Sequence, residues 1–197
     1  MKELLDSLNK LKKNEVSKLV AQRMKEFKNN DDLFNELCFC ILTANFNAER
    51  SIKIQNEIKD FSRLSLEQLT NELKKHGHRY PNKRAEYIVE AKKHKDKLAE
   101  VCVGDPRQWV VDNVKGLGMK EASHFLRNIG FTDYAIIDFH IVDLLVKHKI
   151  IEEPKTLTPK VYLEIEDTLR EIAKKSDLNL AELDLYLWYM ETGKILK

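Results

Sequence analysis

The sequence has few of the residues that direct a chain toward a disulfide-linked or metal-bound fold. Its 197 residues include three cysteines, six glycines and four prolines. An odd number of cysteines argues against a disulfide framework, and three are too few for a four-cysteine zinc or iron-sulfur site. We therefore expect ordinary buried thiols at Cys38, Cys40 and Cys102 and no metal site formed by side chains.

Long apolar runs are also lacking. No run approaches the ~20 residues that are needed to cross a bilayer. Residues 1–20 interleave charged residues with leucines, unlike the apolar core of a signal peptide. We therefore expect a cytoplasmic protein without a membrane partner.

A strong net charge is absent as well, with 34 Lys+Arg against 32 Asp+Glu and a formal charge of +2. This balance argues against a nucleic-acid partner, but the charges are unevenly distributed. Residues 73–130 carry a net +6, whereas residues 150–191 carry a net −5. One basic face could therefore meet a polyanion, although an unevenly charged, solvated surface would have the same composition.

Apolar residues recur at helical spacing along almost the whole chain, and glycine and proline cluster between these runs, which predicts an all-α protein. Residues 2–28 form an amphipathic stretch, and Asp31-Asp32 is an N-cap signal for a buried helix. Ser65 and Gln68 have the spacing of a capping box. Further helices are predicted over residues 47–60, 65–76, 81–97, 138–149, 159–175 and 181–191.

Residues 106–130 predict a helix, a tight turn and a second helix. The turn begins at Lys115 and contains Gly116 and Gly118, which allow positive φ and let a ligand approach the backbone. The second helix follows at once, so its first N–H groups could bind a DNA phosphate. The turn carbonyls could also face one monovalent cation. On the motif alone, a glycine-containing turn between packed helices explains the pattern equally well.

Lys120 follows the hairpin directly, and Asp138 lies eighteen residues later within an apolar run. A cation is unfavourable in the first turn of a helix, and a lysine that loses its charge becomes a nucleophile. A phosphate contact would also explain Lys120. Asp138 is either the N-cap of the next helix, a functional acid, or both.

These two elements together carry a resemblance to a known superfamily. Residues 114–120 followed by residues 136–140 resemble the signature of the helix-hairpin-helix DNA glycosylases. Three further stretches resemble the type 2 8-oxoguanine DNA glycosylases of archaea and some thermophilic bacteria, so the resemblance covers almost the whole chain. These stretches are residues 37–46, 79–88 and 184–197.

The resemblance implies a two-lobed all-α fold with a cleft between the lobes and the hairpin at its rim. One lobe would consist of residues 1–30 plus 134–197, and the other of residues 31–133. The protein would be a monomer that binds double-stranded DNA containing 8-oxoguanine. It would need no cofactor and no iron-sulfur cluster, and it would be cytoplasmic, associated with the nucleoid of a prokaryote.

The resemblance also implies a reaction. The enzyme would flip out 8-oxoguanine, because the sugar and the base edges are inaccessible inside the duplex. Lys120 matches the nucleophile that attacks C1′, expels the base and leaves a Schiff base, through which β-elimination cuts the strand. Asp138 matches the carboxylate that stabilises the sugar cation and helps to deprotonate the amine.

Four further positions match roles in DNA binding and base recognition. His140 corresponds to a phosphate contact, and Asn45 stands where a longer Gln often fills the gap left by the flipped base; Asn45 is equally well explained as a helix C-terminal residue. Trp188 would stack on the extruded purine, although without the resemblance we would assign it to the core. Lys197 and its carboxylate would bind the guanine edge, whereas a frayed tail is the alternative.

Two other functions are open at this point. One is a related bifunctional glycosylase for another damaged base, such as an oxidised pyrimidine. The endonuclease III-like members typically carry a four-cysteine cluster after the catalytic region, and this chain has no cysteine beyond Cys102. The other is a non-catalytic helix-hairpin-helix DNA-binding module, which would leave Asp138 and the aromatic helix near the end of the chain unexplained.

Overall fold

The structure, a computed structural model, describes residues 1–102 and 104–197 and consists of helices joined by short loops. The prediction of an all-α fold is confirmed, because these residues contain no strand. Short 3-10 segments lie at Phe61–Arg63, Lys92–Lys97 and Glu100–Cys102. The α-helices are α1 (Lys2–Leu11), α2 (Val16–Lys28), α3 (Leu33–Thr43), α4 (Ala48–Ile58), α5 (Leu66–Lys75), α6 (Pro81–Ala91), α7 (Pro106–Asn113), α8 (Met119–Asn128), α9 (Phe139–Lys147), α10 (Pro159–Lys175) and α11 (Leu180–Thr192).

Local capping chemistry explains where many of these helices begin. The predicted capping box of α5 is confirmed: Gln68 N–H donates to Ser65 Oγ at 3.2 Å, and Ser65 N–H donates to Gln68 Oε1 at 2.8 Å. Asp32 caps α3 by accepting from the N–H of Asn35. Proline occupies the first turn where its missing N–H has no effect, at Pro81, Pro106 and Pro159.

Two predicted helical stretches are interrupted in the structure. The amphipathic stretch of residues 2–28 forms two helices, α1 and α2, and in the turn between them the Asn14 side chain accepts from the Val16 N–H at 2.9 Å. The helix predicted through Lys97 ends as an α-helix at Ala91 and continues as a 3-10 segment. Neither interruption contains glycine or proline.

The chain divides into two compact units, one of residues 1–29 and 130–197 and the other of residues 30–129. The second boundary lies four residues earlier than the predicted 133/134. Gly130 explains this, since its φ is +100° and a Cβ there would lie 3.3 Å from the Cα of Lys28 in the same unit. In the first unit, α11 packs against α2, α9 and α10.

In the second unit, α3 is the central element and packs against α4, α6 and α8. Every residue from 34 to 43 is buried, which includes the predicted buried thiols of Cys38 and Cys40. Burial raises the pKa of the Cys38 thiol well above its usual range, so this thiol stays protonated. The side chain of Cys102 lies outside the described part of the structure.

Polar groups buried beneath α8 fix its position in this unit. The Glu36 carboxylate on α3 accepts from Asn128 Nδ2 at 2.7 Å and from Asn30 Nδ2 at 3.2 Å. Arg127 donates to the Asn128 side chain from Nε and Nη2 at 3.0 and 2.9 Å. Because Glu36, Arg127 and Asn128 are buried, their pairing holds α8 in one register against α3. Among the described residues, no helix is long and apolar enough to cross a membrane.

Candidate functional site

The predicted hairpin joins α7 to α8 in the unit of residues 30–129. Gly116 has φ +86°, and a Cβ there would lie 2.5 and 2.7 Å from two ring carbons of Tyr87, so this position requires glycine. Gly118 does not use the positive φ that glycine allows. Gly118 is extended, with φ −98° and ψ −168°, and the nearest atom to an added Cβ is 3.7 Å away. The lack of a side chain at 118 therefore leaves the turn surface open without being needed by the backbone.

The start of α8 presents backbone N–H groups beside this open turn. The first helical hydrogen bond runs from Ala122 N–H to Gly118 O at 2.9 Å, so the N–H groups of Met119 and Lys120 precede the helical ladder. The Glu121 carboxylate accepts from the Gly118 N–H at 3.4 Å. Unused N–H groups at the positive end of a helix dipole can bind an anion such as phosphate.

Helix α6 supports the hairpin from below. Lys115 Nζ lies 2.9 Å from Glu90 Oε2, and the hydrogen bond from Lys115 holds the pKa of Glu90 below its usual range. The Lys115 side chain stays 64% exposed, so its charge is available to a ligand. The ring of Tyr87, which is also on α6, lies against Gly116 of the turn. The turn is thus held in place by α6 while its outer surface is free.

Lys120 lies in the first turn of α8, one residue beyond the helix start. Its side chain is about one-third exposed, and its Nζ lies 3.7 Å from Glu121 Oε1. Glu121 therefore serves two groups, because its other oxygen accepts from the Gly118 N–H. The amine is reachable from solvent and has one carboxylate beside it.

Asn45 lies two residues beyond the end of α3 and is exposed. Its φ is +58°, a left-handed conformation that asparagine adopts more readily than most residues. The Ala44 carbonyl accepts from Arg84 Nη2 at 2.6 Å, and Arg84 Nη1 lies 3.0 Å from the position of a Cβ on Gly116. One buried arginine therefore contacts both the Asn45 loop and the hairpin.

His78 is a second support of this loop. Its Nδ1 accepts from the Tyr80 N–H at 3.1 Å, which leaves Nε2 as the donor to Leu42 O at 3.0 Å. The ring also stacks on Phe46, with 4.1 Å between centroids. Burial lowers the pKa of His78, so the neutral form that makes these two bonds is favoured. No spacing in the sequence indicates this supporting role of His78.

Burial also reduces the basic surface that composition predicted. Arg84, Arg107 and Arg127 are each no more than 8% exposed and belong to the +6 stretch of residues 73–130. Their charged groups lie inside the unit and add little to its basic surface. The exposed part of the basic face consists mainly of lysines, together with Arg79.

Asp138 lies in the other unit, of residues 1–29 and 130–197. Its Oδ1 accepts from the Ile141 N–H at 3.1 Å, so it is the N-cap of α9. The cap fixes the carboxylate in one orientation at the start of the helix. Beyond this hydrogen bond the carboxylate retains acceptor sites, which a group that accepts a proton or stabilises a cation requires.

The buried segment before Asp138 is held by α10. Glu166 accepts from the Ala135 N–H at 2.9 Å. The Tyr162 hydroxyl donates to Ala135 O at 2.7 Å, and the Ile137 N–H lies 3.1 Å from the same hydroxyl oxygen. These bonds satisfy the backbone of a segment that belongs to no helix, and they position Asp138.

Three aromatic rings form a row beside Asp138. The rings of Phe139 and His140 are 3.9 Å apart between centroids, and His140 meets Trp188 of α11 edge-on at 5.4 Å. Trp188 is partly buried, and its Nε1 finds no hydrogen-bond partner among the described residues. By sequence alone, Phe139 is one more residue of the apolar run around Asp138. Its exposure could have been predicted from its position two residues before Ile141, which turns the side chain away from the centre of the buried face of α9.

Helix α11 ends at Thr192, and Gly193 follows with φ +70°, the left-handed conformation common after a helix end. Lys197 lies four residues beyond this glycine and is partly buried. The unit thus contains Asp138, His140, Trp188 and Lys197. The other unit brings together Asn45, Lys120 and the hairpin of Lys115, Gly116 and Gly118. No group of three or more His, Cys, Asp or Glu residues among the described ones is arranged to hold a metal ion.

Comparison with known proteins identifies a family match over most of the chain. Residues 20–178 match the Ogg-HhH family, described as 8-oxoguanine DNA glycosylase. A protein of Korarchaeum cryptofilum named 8-oxoguanine DNA glycosylase/AP lyase is 50% identical, over 99% of this chain and 98% of that protein. A Methanocaldococcus jannaschii protein of the same name is 49% identical, over 98% of this chain and 99% of that one.

The solved structures agree with this assignment. The 8-oxoguanine glycosylase/lyase of Methanocaldococcus jannaschii, in complex with 15mer DNA containing 8-oxoguanine, matches with a TM-score of 0.94 and 48% identity. The match covers 99% of this chain and 100% of that chain. A non-covalent endonuclease III–DNA complex matches with a TM-score of 0.64 at 15% identity, covering 89% of this chain and 84% of that one, which indicates a shared fold.

Proposed function

The chain belongs to the Ogg-HhH family of 8-oxoguanine DNA glycosylases, and from this we propose that it excises 8-oxoguanine from double-stranded DNA and then cuts the strand. The relatives with this family name match the chain from end to end at about half identity. The enzyme acts as a glycosylase and as a lyase at the resulting abasic site. It is a base-excision-repair enzyme, and a chromosomal substrate would place it at the nucleoid in the cytoplasm of a prokaryote.

The hairpin positions the duplex by binding one phosphate. The N–H groups at the start of α8 and the exposed Lys115 supply donors, and the open surface at Gly118 lets the phosphate approach. A monovalent cation at the turn carbonyls would add a further bridge to that phosphate. These phosphate contacts do not depend on the base sequence of the DNA, which suits an enzyme whose lesion can lie in any sequence.

Lys120 is the nucleophile of the proposed reaction. Its uncharged amine forms a bond to C1′ of the flipped nucleotide, and the N-glycosidic bond breaks with its electron pair leaving on the base, which takes up a proton. The sugar ring opens to give a Schiff base, loses a proton from C2′, and expels the 3′ phosphate. The amine and one carboxylate carry this chemistry, so no cofactor is required.

Asp138 stabilises the positive charge that develops on the sugar, and it helps to remove a proton from the amine. Its role as N-cap supports this proposal, because the cap holds the carboxylate in a fixed orientation. His140 contacts a phosphate, Trp188 stacks on the extruded purine, and Lys197 binds the guanine edge. Asn45, on the loop that Arg84 and His78 support, occupies the space that the base has left.

The observation that carries the mechanism is the reachable amine of Lys120 in the first turn of α8, directly after the hairpin. Reduction with borohydride during reaction with an 8-oxoguanine duplex should trap a covalent protein–DNA adduct. Lys120→Gln should give no adduct and no strand cleavage, because the nucleophile is gone. A matched control is Lys115→Gln, which removes an equal charge from the same hairpin.

At saturating DNA, Lys115→Gln should still form the adduct. An unchanged adduct in Lys120→Gln would reject Lys120 as the nucleophile. No base release by the wild-type protein from any 8-oxoguanine duplex would reject the function itself.

A further inference from the structure

Phe139 is an unusually exposed aromatic residue. Its side chain is 68% exposed, whereas the other exposed large apolar residues among those described range from 39% to 50%. The buried face of α9 consists of Ile141, Val142, Leu144 and Leu145, so the core does not need the Phe139 ring. A phenylalanine kept in water at the first position of a helix suggests a surface that contacts another molecule.

The ring is held in a defined place. It lies 3.9 Å from the His140 ring between centroids, and His140 in turn meets the edge of Trp188. Such support restricts the Phe139 side chain before any ligand binds, which lowers the entropy that binding would remove. Phe139 also directly follows Asp138, whose backbone and side chain are fixed by the cap of α9.

Flipping one nucleotide out of a duplex exposes the faces of the two bases beside it. An exposed aromatic ring can cover such a face, and stacking of this kind tolerates any base. We propose that Phe139 stacks on the base next to the extruded nucleotide and is a further DNA-contacting residue of the enzyme. This inference rests on the proposed function, and it concerns a residue other than the nucleophile, the acid and the base reader.

The test uses the whole protein and a duplex with a tetrahydrofuran abasic analogue, which binds without reacting. In separate duplexes, 2-aminopurine replaces the base on the 5′ or the 3′ side of the analogue, because stacking quenches its fluorescence. Phe139→Ala should weaken binding roughly tenfold and relieve the quenching on one side. Phe139→Trp should retain both properties, whereas Phe139→Leu should lose them.

The matched control is Leu163→Ala on α10, which removes a 44% exposed apolar side chain from the same unit. It should leave binding within twofold of the wild type, and all variants should keep the wild-type melting temperature because neither side chain is in the core. Equal binding and equal quenching in Phe139→Ala and the wild type would overturn the inference. Excision of 8-oxoguanine by the wild type is scored separately, so its failure would be recognised as failure of the proposed function.

Discussion

Replacing Gly116 by alanine should destabilise the protein through the backbone and through packing. At φ +86° an L-residue is strained, which costs about 1–2 kcal/mol. The new methyl group would also lie 2.5 Å from a ring carbon of Tyr87, and overpacking of this kind costs about 1–3 kcal/mol. Tyr87 is partly exposed and can shift, so we expect a loss of about 2–3 kcal/mol in the free energy of unfolding.

Gly118→Ala is the matched control, because position 118 has negative φ and an added Cβ has no neighbour closer than 3.7 Å. Thermal unfolding followed by circular dichroism should show a Tm lower by at least about 4 °C for Gly116→Ala and a shift of about 1 °C or less for Gly118→Ala. Gly118→Ala should instead weaken binding to abasic-analogue DNA, since its methyl group lies on the phosphate-facing surface. Equal Tm changes in the two variants would refute this account of the hairpin.

Three further outcomes are expected. Asp138→Asn should abolish excision and keep the stability of the wild type, because asparagine also caps α9. Asp138→Ala should abolish excision and also lower the free energy of unfolding by about 1 kcal/mol. Equal stability of the two variants would contradict the cap. Since burial lowers the pKa of His78 in the folded state, the unfolded state binds more protons below the ordinary pKa of about 6.5. Stability should therefore fall as pH drops from 7 to 5, and His78→Gln should reduce that slope in urea titrations; an identical slope would count against this effect. Deleting Lys197 should weaken selection of 8-oxoguanine over guanine more than duplex binding, as measured by single-turnover excision and by affinity, and equal losses would argue against a base-reading role.

The helical architecture could be predicted largely because its signals are local. A capping box such as Ser65 and Gln68 requires only three residues of spacing, and a proline at a first turn is recognised in the same way. The hairpin could be predicted equally well, because the short segment with two glycines between two helical stretches has room only for a tight turn. The sequence did not indicate the break between α1 and α2, because that turn contains no glycine or proline and instead has a hydrogen bond from the Val16 N–H to the Asn14 side chain.

The candidate site was harder to predict where a side chain depends on distant partners. In the sequence, Arg84 is one more positive charge of a basic stretch. In the structure it is buried and donates a hydrogen bond to the Ala44 carbonyl, forty residues away. His78 likewise supports the loop before Asn45 through a contact with Leu42 that no sequence spacing reveals. Phe139 could have been separated from the core by its helical phase, but its stacking on His140 required coordinates.

The most direct test of the central claim is to locate the covalent bond in the trapped complex. After borohydride reduction with an 8-oxoguanine duplex, nuclease and protease digestion followed by tandem mass spectrometry identifies the modified residue. We expect the sugar remnant on Lys120 and on no other lysine of the hairpin. A remnant on Lys115 or elsewhere would contradict the assignment of the nucleophile, and excision without any trapped adduct would contradict the lysine mechanism.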